Sequence, residues 1–373
     1  MKLIIAFFCS LIIPGIMSAQ YQLQASLNGF KEGTVFYLKD IEADQILDSA
    51  VLHKGSLTIK GNLEDAPRSL WLYTSVNDHF YYCNLFIGNE KVRVEGSAKD
   101  MPYYMRITGS AIHAVDDMLN KKTASLSYTR DSLTNLVVPL MLKNEQQTRQ
   151  DSIWSKIRKI DDSVKAITFN FINQHINSYA GLRQLYFLRF KLDSSALRQL
   201  YMQIRPPFTE SRFTKTIHTF LQVGAPLKTG DHFRDFTAID SSGKSHQLSD
   251  YLGKYILLNF STTYCGPCIM SKEELKEVAI KYSEQLSLVG FNADASRDTW
   301  LKGIRRDQPT WPVIWDGKSG HSETIQKYGV QGYPSFVLLD PNGIILHRWS
   351  GYSFNDRSIL KLLQKMLPPP NMQ

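Results

Sequence analysis

The sequence contains little cysteine, with four residues in a chain of 373. Cys83 stands alone, Cys9 lies near the start, and Cys265 and Cys268 are separated by only two residues. Secreted domains that depend on disulfides for their stability carry a much denser set of paired cysteines. The spacing therefore excludes a disulfide framework and leaves one close dithiol as the candidate for chemistry.

The sequence also has no concentrated run of basic residues, although its formal net charge is +8. Lysine and arginine are spread along the chain, and only short pairs such as Lys121-Lys122 and Arg305-Arg306 occur. Nucleic-acid-binding proteins usually gather their positive charge on one face or one helix. We therefore interpret the charge as a solvated basic surface and expect no nucleic-acid partner.

Metal and haem patterns are missing as well. Cys265 and Cys268 form a single C-x-x-C pair, and no second pair follows at the spacing of a zinc site. Ile269 stands directly after Cys268, so the C-x-x-C-H pattern of haem attachment is absent. We expect no metal and no cofactor beyond the redox-active pair itself.

After the first nineteen residues, no apolar run is long enough to cross a membrane. The first nineteen residues themselves begin with the positive charge of Lys2, continue with a nearly unbroken apolar run over residues 3–17, and end in the small residues Ser18-Ala19. The pattern is typical of a secretory signal peptide cut after Ala19, which would also remove Cys9. Met17 fits poorly at the third position before that cut, so an uncleaved membrane tether is the alternative. Either form directs the chain to the periplasm or cell envelope, where disulfides persist.

Residues 20–111 have the pattern of an antiparallel all-β domain, either a sandwich or a small barrel. Turn signals such as Asn28-Gly29 and Gly88-Asn89 separate short strands of alternating or apolar residues. Cys83 lies within an aromatic run, and we interpret it as a buried, unreactive thiol. The predicted strands are residues 21–27, 34–38, 56–59, 69–73, 80–87 and 91–95.

Residues 112–223 have a helical pattern and are expected to connect two domains. Ser178 and Asp193 are placed to cap two of the helices. One apolar stripe predicts a packing face, which could lie against the other helices, the β domain or a second copy of the chain in a homodimer. The stripe consists of Ile153, Ile157, Ile160, Val164, Ile167 and Phe171.

Gly224-Ala225-Pro226 marks the start of an α/β pattern that runs to residue 373. Its centre is an apolar strand over residues 255–260, a short polar turn, and a helix that begins at the dithiol. The N–H groups at a helix start have no partner within the helix, and the dipole is positive there. Cys265 should therefore have a lowered pKa and act as the nucleophile, with Cys268 one turn further along.

The rest of this region predicts further strands and helices, and Asn355 is placed to cap the last helix. The predicted strands are residues 236–239, 245–248, 286–292, 313–315, 335–339 and 344–349, and two further helices span 298–306 and 322–328.

Residues 224–369 resemble the TlpA/ResA-like thioredoxins, which face the membrane in the periplasm. The preceding β region looks like the uncharacterised N-terminal domain that often precedes such thioredoxins. The matching residues are Gly224, Pro226, Phe236, Asp240, Gly243, Leu248-Ser249-Asp250, Gly253-Lys254, Asn259-Phe260, Cys265-Gly266-Pro267-Cys268, Gly332-Tyr333-Pro334 and Asp340-Pro341-Asn342-Gly343.

The resemblance implies a thioredoxin fold and an extracytoplasmic thiol–disulfide oxidoreductase. Cys265 would attack a protein disulfide, Cys268 would resolve the mixed disulfide, and a membrane-bound thiol donor upstream would supply electrons. A Gly-Pro dipeptide between the cysteines is associated with reducing members. A cis peptide is implied before Pro334. The implied substrate-binding residues are Tyr264, Gly266, Pro267, Tyr333 and Pro334.

The chain departs from its relatives around the dithiol. Asn259 replaces the buried aspartate of thioredoxins, and Ser271 stands where some ResA-like proteins carry a glutamate. Tyr264 stands where tryptophan is usual, and helical spacing points Glu273 and Glu274 elsewhere. The group that accepts the proton of Cys268 is therefore unassigned.

Two other functions compete with disulfide exchange. Peroxiredoxins share this fold, and Thr262 fits their P-x-x-x-T-x-x-C pattern, but Leu258 stands at its proline position. The N-terminal half could also bind an envelope ligand, with the thioredoxin region as a redox-sensitive, non-catalytic module.

Overall fold

Two β regions with helices between them make up the chain, as described by a computed structural model for residues 20–43, 45–142, 146–352 and 357–368. The predicted signal peptide over residues 1–19 and the predicted cap Asn355 lie outside these residues. Within the described ranges, no helix combines the length and the apolar character needed to span a membrane.

The N-terminal strands form two four-stranded sheets that share one core, as predicted for a sandwich. Alternate residues of the strands are buried, because successive side chains point to opposite faces. One sheet has the order β4-β1-β7-β8, and the other has the order β3-β2-β5-β6. The strands are β1 (Tyr21–Asn28), β2 (Val35–Asp40), β3 (Gln45–Val51), β4 (Ser56–Gly61), β5 (Arg68–Val76), β6 (His79–Ile87), β7 (Lys91–Ser97) and β8 (Arg106–Thr108).

The prediction of an entirely antiparallel N-terminal region is wrong for one pair of strands. β1 and β7 run parallel, with Leu23 opposite Val92, whereas the other pairs in the two sheets are antiparallel. The five intervening strands give the chain room to return in the same direction. β3 and β8 were not predicted from the sequence. None of the residues of β3 is fully buried and β8 has three residues, so neither carries a clear alternating pattern.

The described part of residues 111–223 contains five α-helices, which agrees with the predicted helical region. Ser178 and Asp193 both cap helices as predicted: Ser178 Oγ accepts from the Gly181 N–H at 3.0 Å, and Asp193 Oδ1 accepts from two N–H groups at 2.9 Å. The apolar stripe is buried at its two ends, but its middle is only half-buried. The helices are α1 (Ala111–Leu142), α2 (Gln147–His175), α3 (Tyr179–Leu188), α4 (Ser194–Tyr201) and α5 (Arg212–Val223).

These helices contact both β regions. Phe86 of β6 lies in one core with residues of α3 and α5, and α5 also packs against a helix of the C-terminal region. Arg212 Nη2 pairs with Glu42 Oε2 at 2.9 Å on the N-terminal side. Tyr186 Oη donates to the Gly320 carbonyl at 3.2 Å on the C-terminal side. The helices therefore form one wall of the space between the two β regions.

The C-terminal strands form a seven-stranded sheet of order β10-β9-β13-β12-β11-β14-β15 with helices on both faces, which confirms the predicted thioredoxin fold. The strands are β9 (Thr237–Ile239), β10 (Ser245–Gln247), β11 (Tyr255–Ser261), β12 (Leu286–Asn292), β13 (Val313–Trp315), β14 (Ser335–Leu339) and β15 (Ile345–Ser350). The helices are α6 (Gly266–Met270), α7 (Lys272–Lys281), α8 (Arg297–Asp307), α9 (Glu323–Lys327) and α10 (Ser358–Met366).

Candidate active site

The dithiol follows the central strand of the C-terminal sheet. β11 is paired with β12 on one side and β14 on the other, so its apolar residues are buried on both faces. The chain then turns, and Cys265 becomes the N-cap of α6, where its sulfur accepts from the Cys268 N–H at 3.2 Å. The strand–turn–helix predicted around the two cysteines is therefore present.

The two cysteines differ in exposure. Their sulfur atoms are joined in a disulfide, and their Cα atoms lie 5.1 Å apart. Cys268 is only 1% exposed, whereas Cys265 is half-buried and lines an open cleft. A substrate in the cleft can therefore reach the sulfur of Cys265, while the sulfur of Cys268 is reachable only through its partner.

The cleft has a volume of about 1070 Å³ and lies between the two β regions. The N-terminal sandwich contributes residues around Glu42 and Arg68, and the helices contribute α3 and the residues just after it. The C-terminal region contributes Tyr264, Cys265 and the Tyr333 side chain. The ring of Tyr264 is 54% exposed, and Lys39 Nζ of β2 lies 6.0 Å from its centroid.

The five residues predicted to bind substrate differ in where they lie relative to the cleft. Tyr264 and Tyr333 line the cleft beside Cys265, and burial raises the pKa of Tyr333. Gly266 and Pro267 are exposed on the first turn of α6. Pro334 is buried, and its peptide with Tyr333 is cis, as the resemblance implied.

The two residues that depart from the family pattern are both buried beside the dithiol helix. Asn259 is 1% exposed, and its side-chain Nδ2 donates a long hydrogen bond of 3.5 Å to the Phe260 carbonyl. Ser271 Oγ donates to the Cys268 carbonyl at 2.8 Å and marks the break between α6 and α7. An amide and a hydroxyl are both poor bases, so neither supplies the proton acceptor of the resolving step.

Glu273 and Glu274 face away from the dithiol, as predicted. Glu273 is exposed and pairs with Lys276 at 2.9 Å. Glu274 is buried, and its Oε1 accepts from the Leu360 N–H of α10 at 2.8 Å. Its role is therefore to hold the last helix.

Sequence reasoning missed Asp294, a buried carboxylate at the wall of the cleft. It follows the carboxyl end of β12, which runs parallel to β11 and therefore ends beside the turn that carries Cys265. Thr263 donates to it from its N–H at 3.1 Å and from its Oγ1 at 2.6 Å. Its place just after a predicted parallel strand was the signal that could have identified it.

Cys83 is isolated from this site. It is fully buried in the sandwich core, and burial raises its pKa to about 12, which agrees with the predicted unreactive thiol. No group of three or more metal-ligating side chains occurs among the residues that the structure describes.

Both β regions match known families. Residues 229–348 match the AhpC/TSA family, and residues 21–115 match a domain of unknown function, DUF4369. The chain is 30% identical over 130 residues to the thiol-disulfide oxidoreductase ResA of Geobacillus kaustophilus. The aligned region covers 34% of this chain and 73% of the relative.

A ResA from Bacillus thuringiensis is 28% identical over 143 residues, covering 38% of this chain and 80% of the relative. A solved thiol-disulfide oxidoreductase from Bacteroides fragilis is 26% identical, with a TM-score of 0.33, and covers 38% of this chain and 100% of that chain. The chain therefore belongs to the thioredoxin-fold thiol-disulfide oxidoreductases of the ResA type, and it is an enzyme of this kind.

Proposed function

We propose that the protein is an extracytoplasmic reductase of protein disulfides that works through Cys265 and Cys268. The observation that carries the proposal is the unequal exposure of the two sulfurs, because Cys265 lines the cleft and Cys268 is buried. Attack by one sulfur and resolution by the other needs this arrangement. Tyr264 and Tyr333 are placed to contact a substrate segment in the cleft, and the dithiol needs no further cofactor.

The reaction begins from the reduced enzyme. The Cys265 thiolate attacks one sulfur of the substrate disulfide, and the other sulfur leaves as a thiolate with the bonding electron pair. Cys268 then loses its proton and attacks Cys265, which releases the second substrate thiolate. The substrate gains two electrons from the enzyme and two protons, one from Cys268 and one from solvent, and the enzyme becomes the disulfide seen in the structure.

The direction and location are supported by the sequence. Gly266-Pro267 between the cysteines favours reduction, and the apolar segment over residues 3–17 favours export to the periplasm or cell envelope. Because that compartment is oxidising, turnover requires a thiol donor, which we place at the membrane. The half-buried middle of the α2 stripe favours a homodimer through these helices, which light scattering of the purified chain would test.

Insulin reduction tests the proposal. The reduced protein should reduce insulin with a dithiol donor present, and Cys265→Ser should abolish this activity. Cys268→Ser should accumulate a mixed disulfide through Cys265, which non-reducing electrophoresis would show.

Cys83→Ala is the matched control, since it removes a thiol far from the cleft and should retain activity. Activity in Cys265→Ser would contradict the assignment of the nucleophile. No reduction by the wild type would favour a binding module, and consumption of hydrogen peroxide instead of insulin would favour a peroxidase.

A further inference from the structure

Arg189 is a buried cation at the wall of the cleft. It is 3% exposed, yet it lies among the residues that line the cleft with Cys265 and Tyr333. Its Nε donates to Gln326 Oε1 at 2.8 Å, and its Nη1 donates to the Tyr186 carbonyl. Both acceptors are neutral, so neither balances the charge of the guanidinium.

The other arginines that line the cleft have carboxylate partners. Arg68 lies 3.7 Å from Asp40 and 3.8 Å from Asp65, and Arg212 pairs with Glu42 at 2.9 Å. Within the described ranges, no carboxylate lies at ion-pair distance from Arg189. Burial lowers the pKa of Arg189, and Tyr186 and Tyr333 partly oppose this effect.

A buried charge is costly unless it is paired, so a guanidinium without a carboxylate partner at the wall of a cleft is suited to bind an anion. The guanidinium of Arg189 lies 4.0 Å from the ring centroid of Tyr186 and 4.2 Å from that of Phe190. These rings fix its plane. A fixed planar guanidinium is well suited to bind a carboxylate through two parallel hydrogen bonds.

The whole cleft favours an anionic occupant. More cations than anions line it, which attracts negative charge. Its volume of about 1070 Å³ is at the upper end of small-molecule pockets and suits several residues of an extended peptide. The cations are Arg68, Arg189, Lys191, Arg212 and Lys318, and the anions are Glu42, Asp65 and Asp294.

We propose that Arg189 binds a carboxylate side chain of the substrate, so that the enzyme selects disulfides in extended acidic peptide segments. The inference rests on the proposed reductase activity and adds the substrate class. The N-terminal sandwich and the helices act as walls of the substrate site. They therefore contribute to substrate recognition, whereas the dithiol of the thioredoxin fold carries out the reduction.

The test compares two cyclic disulfide peptides that differ only in a Glu or a Gln beside one cysteine. We expect the reduced wild type to reduce the Glu peptide about tenfold faster or more, as charge-assisted hydrogen bonds allow. This preference should weaken at high salt. In Arg189→Gln the ratio of the two rates should fall to about one, and Arg189→Lys should keep part of it.

Arg93→Gln is the matched control, because it removes an exposed arginine of β7 that does not line the cleft, and it should keep the wild-type ratio. Equal rates for the two peptides with the wild type would overturn the inference, and this comparison needs no variant to fold. A Glu preference that persists in a folded Arg189→Gln protein would also overturn it.

A neutral disulfide, bis(2-hydroxyethyl) disulfide, distinguishes a failure of the reductase function from a failure of the role of Arg189. If the wild type reduces this probe but shows no preference between the peptides, only the role of Arg189 fails. If it reduces neither the probe nor the peptides, the reductase function fails and the inference fails with it.

Discussion

Thr263 donates to the Asp294 carboxylate from both its N–H and its hydroxyl, and this pair ties the turn before the dithiol to the end of β12. Both residues are buried, with Thr263 3% and Asp294 4% exposed. The position of Cys265 therefore depends on a contact between segments about thirty residues apart in the chain.

Removal of the Thr263 hydroxyl should destabilise the protein. In Thr263→Val, the buried Asp294 carboxylate loses one of its donors, which we expect to lower the free energy of unfolding by about 1–3 kcal/mol. Urea unfolding measures this change. Thr129→Val is the control, because the Thr129 hydroxyl bonds only within an exposed part of α1 and should have little effect. Equal changes in the two variants would contradict the role of the pair.

Loss of the Glu274 carboxylate should loosen α10. Arg357, the N-cap of α10, makes no side-chain capping hydrogen bond to the helix backbone, and Glu274 accepts from the Leu360 N–H instead. Glu274→Ala should cost about 0.5–2 kcal/mol of stability, as loss of a cap does, and should speed amide exchange in α10. Glu273→Ala, which removes an exposed neighbour, should change stability by less than about 1 kcal/mol. If both variants behave alike, Glu274 does not cap the helix.

His321 should make stability depend on pH in the mildly acidic range. Burial lowers the pKa of His321 to about 4, whereas the unfolded chain has the ordinary value near 6.5. The unfolded state therefore binds the proton first. Stability is fully present above about pH 6.5 and falls by up to about 3 kcal/mol as the pH drops towards 4.

Urea unfolding of the wild type and His321→Gln at pH 7 and pH 4.5 checks this. The variant should lose less stability on acidification than the wild type. His232→Gln, at an exposed histidine, should follow the wild type. An identical pH dependence in all three proteins would contradict the prediction.

Thiol titration should separate the three cysteines of residues 20–373. The native, unreduced protein should show no rapidly reacting thiol, because Cys83 is fully buried and Cys265 is joined to Cys268. After denaturation one thiol should appear, and after reduction three. Rapid reaction of one thiol in the native protein would show that the sandwich core opens.

The sequence predicts the parts of this fold whose causes are local. The strand over residues 286–292 was predicted in full because its apolar run is continuous, and Ser178 was found because an N-cap needs only its own helix. The parallel pairing of β1 with β7 depends on the path of the whole sandwich and leaves no local mark. β3 was missed since it has no buried face.

The site was predicted in the same uneven way. The C-x-x-C spacing identifies Cys265 and Cys268, whereas Arg189 directly follows a helix that resembles any packing helix. Its place beside Tyr333 exists only once α3 has docked between the two β regions. The cleft forms only when segments that are far apart in the chain pack together, so no short stretch of sequence predicts it.

The burial of Cys83 has a consequence for how the chain matures. Before folding, the thiols of residues 20–373 are all accessible, and any of three pairings can form by oxidation. Folding of the sandwich buries Cys83 in its core, and Cys268 is then the single partner left for Cys265 among these thiols. If the sandwich folds before the dithiol meets an oxidant, Cys83 is therefore not available to form a disulfide with Cys265 or Cys268.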